Sequence, residues 1–325
     1  MAGLPRLDTF AHDRVTVLRD PDTGLAAVLA VHDLIEGRAA GGWRVRPYAR
    51  LEHAITDALD LAELAARRHA VAGIPAGGGG LVVAAEAGRE RDDATVAAVR
   101  RLAARADAGF HAIDEGAEGG AGLAAQAVVR SLAVALRHVP GASLEGARVA
   151  IQGLGPVGQA VCAGLAASGA SIVLTDADPV RRAAAARLFG AQAVAPEAIY
   201  GAPCDAFVPC GCGGTLGDAT IHRLRARVVA GPARGQLQHR SCADHLQDLG
   251  ILWVPEVVAG AGATIWGLAD VLAPADPGWA ARMLDGLERR LDELLTRARA
   301  ERTSPERLTH RLPMRGPLRH EADAA

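Results

Sequence analysis

The sequence predicts an α/β protein, and three observations carry the prediction. From Ala147 onward, short apolar runs alternate with helical patterns. A glycine-spaced turn, Gly153-Leu154-Gly155-Pro156-Val157-Gly158, stands where the first of those runs gives way to a helix. The N-terminal half carries its own β-like runs around an amphipathic helix. The alternation is the βαβ pattern of a doubly wound parallel sheet. A chain of 325 residues, half of them hydrophobic, is long enough for two modest domains that each bury a core.

Residues 14–19 (RVTVLR) and 26–31 (AAVLAV) read as two strands joined around Asp22-Thr23-Gly24, a hairpin. Residues 51–69 place Ile55, Leu59, Leu61 and Leu64 at helical spacing. The run Gly77 to Gly80 then precedes an apolar strand, Leu81-Val82-Val83. A helix over 93–106 and a short strand near Phe110, ending at Asp114, come next. Residues 115–122 (EGAEGGAG) read as a flexible connector, and 123–138 as a helix leading to a second domain. The later strands are 149–152, 172–175, 206–209, 228–230 and 252–254. After Thr264 the chain turns helical again, and 277–301 sets Met283, Leu287, Leu291 and Leu294 on one face. The end of the chain, with Pro305, Pro313 and Pro317, reads as a loosely held tail. The expected divisions are 1–122, a connecting helix over 123–142, a second domain over 143–272, and a helix and tail over 273–325.

Composition removes several functions. All 35 basic residues are arginine, so a lysine Schiff base, a phosphate-loop lysine and a lysine general base are excluded. The net charge of −2 and scattered arginines argue against a nucleic-acid partner. Residues 149–175 carry no charge, but Pro156 and the glycines divide them into strand, turn and helix, so no membrane span is expected. The opening MAGLPRLDTFAHD lacks the basic flank and apolar core of a secretory signal. Five cysteines without framework spacing read as reduced thiols, and the expected location is cytoplasmic.

The turn after residues 149–152 has the context a dinucleotide requires. Gly153 permits the sharp strand-to-helix turn, Gly155 lets a pyrophosphate approach the backbone, and Gly158 lets the helix pack on the strand. Pro156 and Val157 open that helix, whose unpaired N–H groups and partial positive charge face the phosphates. The next strand ends at Asp176, placed to accept the ribose hydroxyls. A carboxylate there repels the extra phosphate of NADP, so NAD is the expected cofactor, with Arg181 and Arg182 softening the preference.

Read together with that turn, six stretches resemble the glutamate/leucine/phenylalanine/valine dehydrogenase family, its leucine dehydrogenase branch above all. They are AVHDLIEGRAAGGWRV (30–45), HAVAGIPAGGGG (69–80), HAIDEG (111–116), SLEGARVAIQGLGPVG (143–158), APCDAFVPCGCGGTL (202–216) and VVAGPARGQL (228–237). The resemblance implies an N-terminal substrate domain with a mixed sheet and a Rossmann NAD-binding domain that close over a cleft, in a homo-oligomer. It implies reversible deamination of an amino acid, with hydride passing to NAD. Gly41 and Gly42 match the glycine pair lining the amino-acid site. Arg68 stands where the family holds the substrate carboxylate with lysine, and a guanidinium grips a carboxylate with two parallel bonds. Asp114 matches the acid that moves protons at the substrate nitrogen. Cys210 and Gly211 fall in the loop bordering the nicotinamide.

The same alignment shows departures, and they cluster on one function. Gly80 occupies the position of the catalytic lysine that activates water against the imine. Gly260 and Trp266 stand where the family has asparagines, Arg234-Gly235 replaces an asparagine pair, and the segment after Asp114 is shorter. The expected activity is therefore hydride transfer to or from a carboxylate-bearing imine or amine rather than ordinary deamination, in a biosynthetic setting. The alternative is a catalytically silent NAD-binding homologue that regulates or scaffolds a partner. His69 and His111 are candidate replacement bases, each weighed against a structural role. Cys210-Gly211-Cys212 lacks the four-ligand spacing of a zinc site, so no metal is expected. Trp43 and Trp266 are read either as a stacking wall for a planar substrate or as core.

Overall fold

The computed structural model describes residues 11–87, 92–106, 109–114 and 118–312. These fall into two compact units, one within residues 11–114 with Gly267–Asp276, the other within residues 118–266 with Pro277–Arg311.

The first unit holds strands β1 (Arg14–Arg19), β2 (Ala26–Val31) and β3 (Ala39–Arg46), helix α1 (Leu51–Ala72), strand β4 (Gly77–Ala84), helix α2 (Asp93–Ala106) and strand β5 (Phe110–Ile113). Its sheet runs β1-β2-β4-β3-β5. The first two pairings are antiparallel and the last two parallel, so the sheet is mixed, as the sequence predicts. Strand β2 is apolar along its length because both faces are covered. Val28 and Ala30 pack with Ala58, Leu61 and Ala62 of α1, while Leu29 and Val31 pack with Ala98, Val99 and Leu102 of α2. The β1–β2 hairpin closes where Gly24 takes φ +73° and the Asp20 carboxylate accepts from the Thr23 amide and hydroxyl. Arg101 of α2 grips the same carboxylate through Nε and Nη2 at 2.9 and 2.8 Å. Those bonds hold it well below the usual carboxylate range.

The second unit begins with a short 3-10 turn at Glu118–Gly120 and helix α3 (Ala121–Arg137). It continues through β6 (Arg148–Gln152), α4 (Pro156–Ala167), β7 (Ser171–Thr175), α5 (Pro179–Phe189), β8 (Gln192–Ala193), β9 (Ala206–Pro209), α6 (Asp218–Ile221), β10 (Val228–Val229), α7 (Cys242–Asp248), β11 (Leu252–Trp253) and α8 (Glu256–Ala259). Helices α9 (Ala261–Leu272), whose residues from Gly267 on belong to the first unit, α10 (Trp279–Glu301) and α11 (Pro305–Thr309) follow. The strand order is β11-β10-β9-β6-β7-β8, and every pairing is parallel. The chain leaves β6 toward β7 on one side and returns to β9 on the other, so β6 and β9 flank the switch point where open α/β sheets bind ligands. Helix α10 buries Leu284, Leu287, Leu291, Leu294 and Leu295, and its Asp285 and Asp292 meet Arg130 and His138 of the α3 segment.

Four expectations need correction. The glycine run Gly77–Gly80 does not precede the strand; it is the first half of β4, where Asp33, helix α1 and Phe110 approach too closely for larger residues. Met283 is only half-buried, and Leu284 takes the core position expected for it. The connector ends early, since α3 starts at Ala121; residues 115–117 lie outside the described ones. Pro305 does not open a loose tail. It starts α11, where Pro305 and Leu308 are buried and Arg307 clamps Asp244 at 3.0 and 2.7 Å. Pro313 and Pro317 lie outside the described residues.

Candidate functional site

In the second unit the candidate site is the turn between β6 and α4. Gly153 has φ +97°, a conformation that side chains rarely adopt, and a Cβ there would lie 2.6 Å from the backbone of Gly211. A Cβ on Gly158 would lie 2.1 Å from the Gly153 carbonyl oxygen, so α4 sits directly on the turn. Gly155 is different. It is the extended N-cap of α4, and nothing lies within 4 Å of where its Cβ would be. Pro156 takes the first helical position, where its missing N–H costs nothing. Half-buried Val157 follows it. The result is an open approach to the unpaired amides of a helix N-terminus, the geometry a pyrophosphate needs.

Asp176 follows β7 and is 8% exposed. One carboxylate oxygen accepts from the Leu154 amide at 2.7 Å, the other from the Asp178 amide at 2.8 Å, and Arg181 Nη1 lies 3.4 Å from both. Burial alone would raise its pKa. The two amides and Arg181 outweigh burial and hold it below the ordinary value. Arg182 donates instead to the Asp176 backbone carbonyl at 2.8 Å. The acid is thus ionised and tied to the glycine turn.

Cys210 and Gly211 follow β9 and close the turn from the other side, with the Cys210 amide donating to the Gln152 carbonyl at 2.7 Å. Burial pushes the Cys210 thiol well above its usual pKa, which makes it a neutral lining group rather than a thiolate. Trp266 lies over Gly119 and Gly120, where a Cβ would come within 2.7 and 3.1 Å of the indole. Gly260 caps α8. The loop after Cys210 packs on the 234–237 segment, where a Cβ on Gly213 would lie 2.4 Å from the Arg234 carbonyl oxygen. Sequence reasoning missed Gln236 here. It is fully buried, donating to the Gly231 carbonyl at 2.6 Å and accepting from Trp253 Nε1 at 3.1 Å.

In the first unit, three parallel strands bring the substrate-side candidates to one level. Gly41 and Gly42 of β3 pair with Ala112 and Ile113 of β5, so Asp114 follows directly beside them. On the other side Ala40 opposes Gly78 and Trp43 opposes Leu81, which sets Gly42 abreast of Gly80. Helix α1 lies against this region, since a Cβ on Gly41 would come within 3.2 Å of Ala65 Cβ and 1.6 Å of the Gly79 carbonyl oxygen. Arg68, one turn further along α1, is 4% exposed, and Asp114 is half-buried. Trp43 packs partly buried against the α2-side core.

Gly80 faces α1. A Cβ there would lie 2.7 Å from Leu61 Cβ and 2.9 Å from the Ala62 amide nitrogen, so the position holds no vacant slot for a longer side chain. His69 is 1% exposed, and its Nδ1 donates to the carbonyls of Ala76 and Gly77, 3.1 Å from each. Burial pushes its pKa down to about 4, Arg68 adds to the effect, and the carbonyls oppose it. His69 is a neutral clamp on the start of β4. His111 is half-buried in β5. Asp33, also missed, is 3% exposed and accepts from the Gly78 amide at 2.9 Å, fixing the same start of the glycine strand. Among the described residues no helix is long and apolar enough to cross a membrane.

Comparison with known proteins matches this arrangement. A family described as "Glu/Leu/Phe/Val dehydrogenase, dimerisation domain" matches residues 12–115. Leucine dehydrogenase of Geobacillus stearothermophilus is 32% identical over 348 aligned positions, covering 96% of this chain and 95% of that protein. L-tryptophan dehydrogenase of Nostoc punctiforme is 31% identical over 79% of each chain. A crystal structure of L-tryptophan dehydrogenase from Nostoc punctiforme superposes with a TM-score of 0.80 at 27% identity, covering 94% of this chain and 95% of that one. With 32% identity over nearly the full length of both chains, and its N-terminal part matching the family's dimerisation domain, the chain belongs to the Glu/Leu/Phe/Val dehydrogenase family.

Proposed function

We propose that this protein is an NAD-dependent oxidoreductase acting on the CH–NH or C=N group of a carboxylate-bearing substrate, and that ordinary oxidative deamination is not its efficient reaction. The observation that carries this reading is the contrast at two glycines. Gly155 is open for a cofactor phosphate, while Gly80, at the position of the family's water-activating lysine, is filled by α1. Bound NAD would supply or take up the hydride. Arg68 would hold the substrate carboxylate, and its burial makes a bidentate charged pair strong. Asp114 would deliver or remove the proton on nitrogen, so that reduction of C=N consumes one hydride and one proton and needs no water. Gly41 and Gly42 would line the amino-acid site. Gly153, Gly155, Pro156, Val157, Gly158, Cys210 and Gly211 would cradle the dinucleotide, with Asp176 on the ribose hydroxyls favouring NAD over NADP. The match of residues 12–115 to a dimerisation domain supports a homo-oligomer.

The test is twofold. NADH binding is followed by the cofactor's fluorescence, with NADPH as the control. NADH oxidation is then compared for a preformed cyclic imine carboxylate and for a 2-oxo acid with ammonia. The expected result is turnover of the imine with oxo-acid amination lower by about 10²–10⁴-fold, the usual cost of a missing acid–base group. Arg68→Ala should raise KM and Asp114→Asn should lower kcat. Oxo-acid amination as fast as imine reduction would refute the chemical reading, and unchanged turnover in both variants would remove Arg68 and Asp114 from it. Tight NADH binding with no turnover of either substrate would favour the silent homologue.

A further inference from the structure

We infer that Asp218, His239 and Cys242, with His245 beside Asp218, form a zinc site that staples the loop after Cys210–Gly211 to helix α7. The cluster lies wholly within the second unit and shares no residue with the dinucleotide turn.

The backbone brings its members together before any ion is considered. Leu216 and Leu237 form a parallel bridge, with the Leu216 amide donating to the Gln236 carbonyl and the Gln238 amide to the Leu216 carbonyl, both at 2.9 Å. Asp218 and His239 each stand two residues beyond that bridge, so they emerge side by side. The Gln238 side chain ties the same segments again through the Gly214 carbonyl at 3.0 Å. Three residues after His239, α7 begins with Cys242, and His245 follows at i+3 on the same helical face. The Cys242 amide donates to the His239 carbonyl at 3.0 Å, which fixes the two ligand positions relative to one another.

The donor atoms converge at the spacing a small ion requires. Ligand atoms of Asp218, His239 and Cys242 all lie within 4.8 Å of one another. His239 Nε2 is 3.3 Å from Asp218 Oδ1, Cys242 Sγ is 3.4 Å from His239 Nε2, and His245 Nδ1 is 3.7 Å from Asp218 Oδ1. Zinc bonds of about 2.0–2.3 Å arranged tetrahedrally give ligand–ligand edges of roughly 3.3–3.7 Å. Cys242 Sγ also lies 3.5 Å from His239 Nδ1, so it sits beside the edge of the imidazole between the two ring nitrogens. His239 Nδ1 is already engaged by Ser241 Oγ at 2.7 Å, the kind of outer contact that fixes a tautomer and leaves the other nitrogen for a metal. One thiol, one imidazole and one carboxylate form a borderline-soft donor set that suits Zn²⁺ over Mg²⁺ or Ca²⁺. Three protein ligands converge and the fourth position falls to His245, whose Nδ1 stands 3.7 Å from Asp218 Oδ1, so an ion there would join the loop to α7.

The experiment uses the full chain stripped with a chelator and titrated with Co²⁺ and then Zn²⁺. The expected result is one equivalent of Co²⁺ with the thiolate charge-transfer band and tetrahedral d–d bands, displaced by Zn²⁺, together with a Zn²⁺-dependent rise in Tm. Asp218→Asn and His239→Gln change exposed groups and should fold normally, yet weaken the metal at least about tenfold and abolish the Tm rise. Ser241→Ala should cost about tenfold in affinity through loss of the outer contact. Cys212→Ser, at an exposed thiol, should change nothing. The inference is overturned if stripped wild type shows no thiolate band. It is also overturned if the band and the Tm rise persist in both Asp218→Asn and His239→Gln, which would place the metal on another thiol. NADH binding, read on the same samples, keeps this result independent of the proposed activity.

Discussion

Gly155 in the turn after β6 and the glycines of β4 look alike in sequence but answer opposite demands. At Gly155 the absent side chain leaves open space beside a helix N-terminus, so something from outside the chain can approach the backbone. At Gly78 and Gly80 the absent side chains are already replaced by the chain itself. A Cβ on Gly78 would lie 2.3 Å from the Ala62 carbonyl oxygen and 2.4 Å from the Ala66 amide nitrogen. Gly155 leaves the helix N-terminus open to approach; the glycines of β4 let a helix and a sheet approach backbone to backbone. A glycine-rich run therefore indicates close approach, and only the packing shows whether the partner is a ligand or a neighbouring element.

That comparison is broken most directly by adding a methyl group on each side of it. Gly78→Ala should cost more than about 3 kcal/mol, at or beyond the upper end of ordinary overpacking, because two of the three colliding atoms are backbone. Chemical denaturation would measure it, and a cost under about 1 kcal/mol would mean that α1 can withdraw from β4. Restoring a lysine with Gly80→Lys should likewise cost stability before it could restore any chemistry.

His69 probes the rigid side through pH. The unfolded chain binds a proton at His69 below its ordinary value of 6.5, and the folded chain resists doing so until about 4. The folded state thus binds fewer protons in this window, so stability falls as pH drops from 6.5 toward 4, by on the order of 2–3 kcal/mol. Unfolding free energies of wild type and His69→Gln across that range would show it. Equal slopes in the two proteins would assign the acid sensitivity to other groups.

On the open side the effects are smaller and fall on binding. Asp176→Asn keeps the shape of the acid but removes its charge, and should weaken NADH about tenfold or more while narrowing the gap to NADPH. Gly155→Ala should change stability by less than about 0.5 kcal/mol and weaken NADH about tenfold. A large stability loss there, with unchanged NADH binding, would reverse the contrast between the two glycine sets.

Much of the fold is legible from local pattern. The strands 14–19, 26–31 and 206–209 and the helix 93–106 stand where alternation, apolar runs and helical spacing place them. The glycine turn is legible for the same reason, since Gly153, Gly155 and Gly158 and the strand end at Asp176 lie close in sequence and obey local steric rules. The glycine run misleads as a prelude to a strand because glycine has little strand preference, and only contact with α1 and β3 makes it one. Pro305 misleads as a tail marker because its helix is held by Arg307 on Asp244, a partner far away in sequence.

The sequence by itself determined the α/β class, the parallel second sheet, the dinucleotide-type turn and the absence of any lysine. These depend on residue chemistry and on neighbours within one turn or one strand. Only the tertiary structure decided that Gly80 is filled, that His69 is a neutral clamp, that Asp33 and Gln236 hold buried backbone, and that Asp218 meets His239, Cys242 and His245. Each of those facts depends on burial or on the meeting of distant segments. Neither is encoded by any short window; both follow from how helices and sheets close-pack.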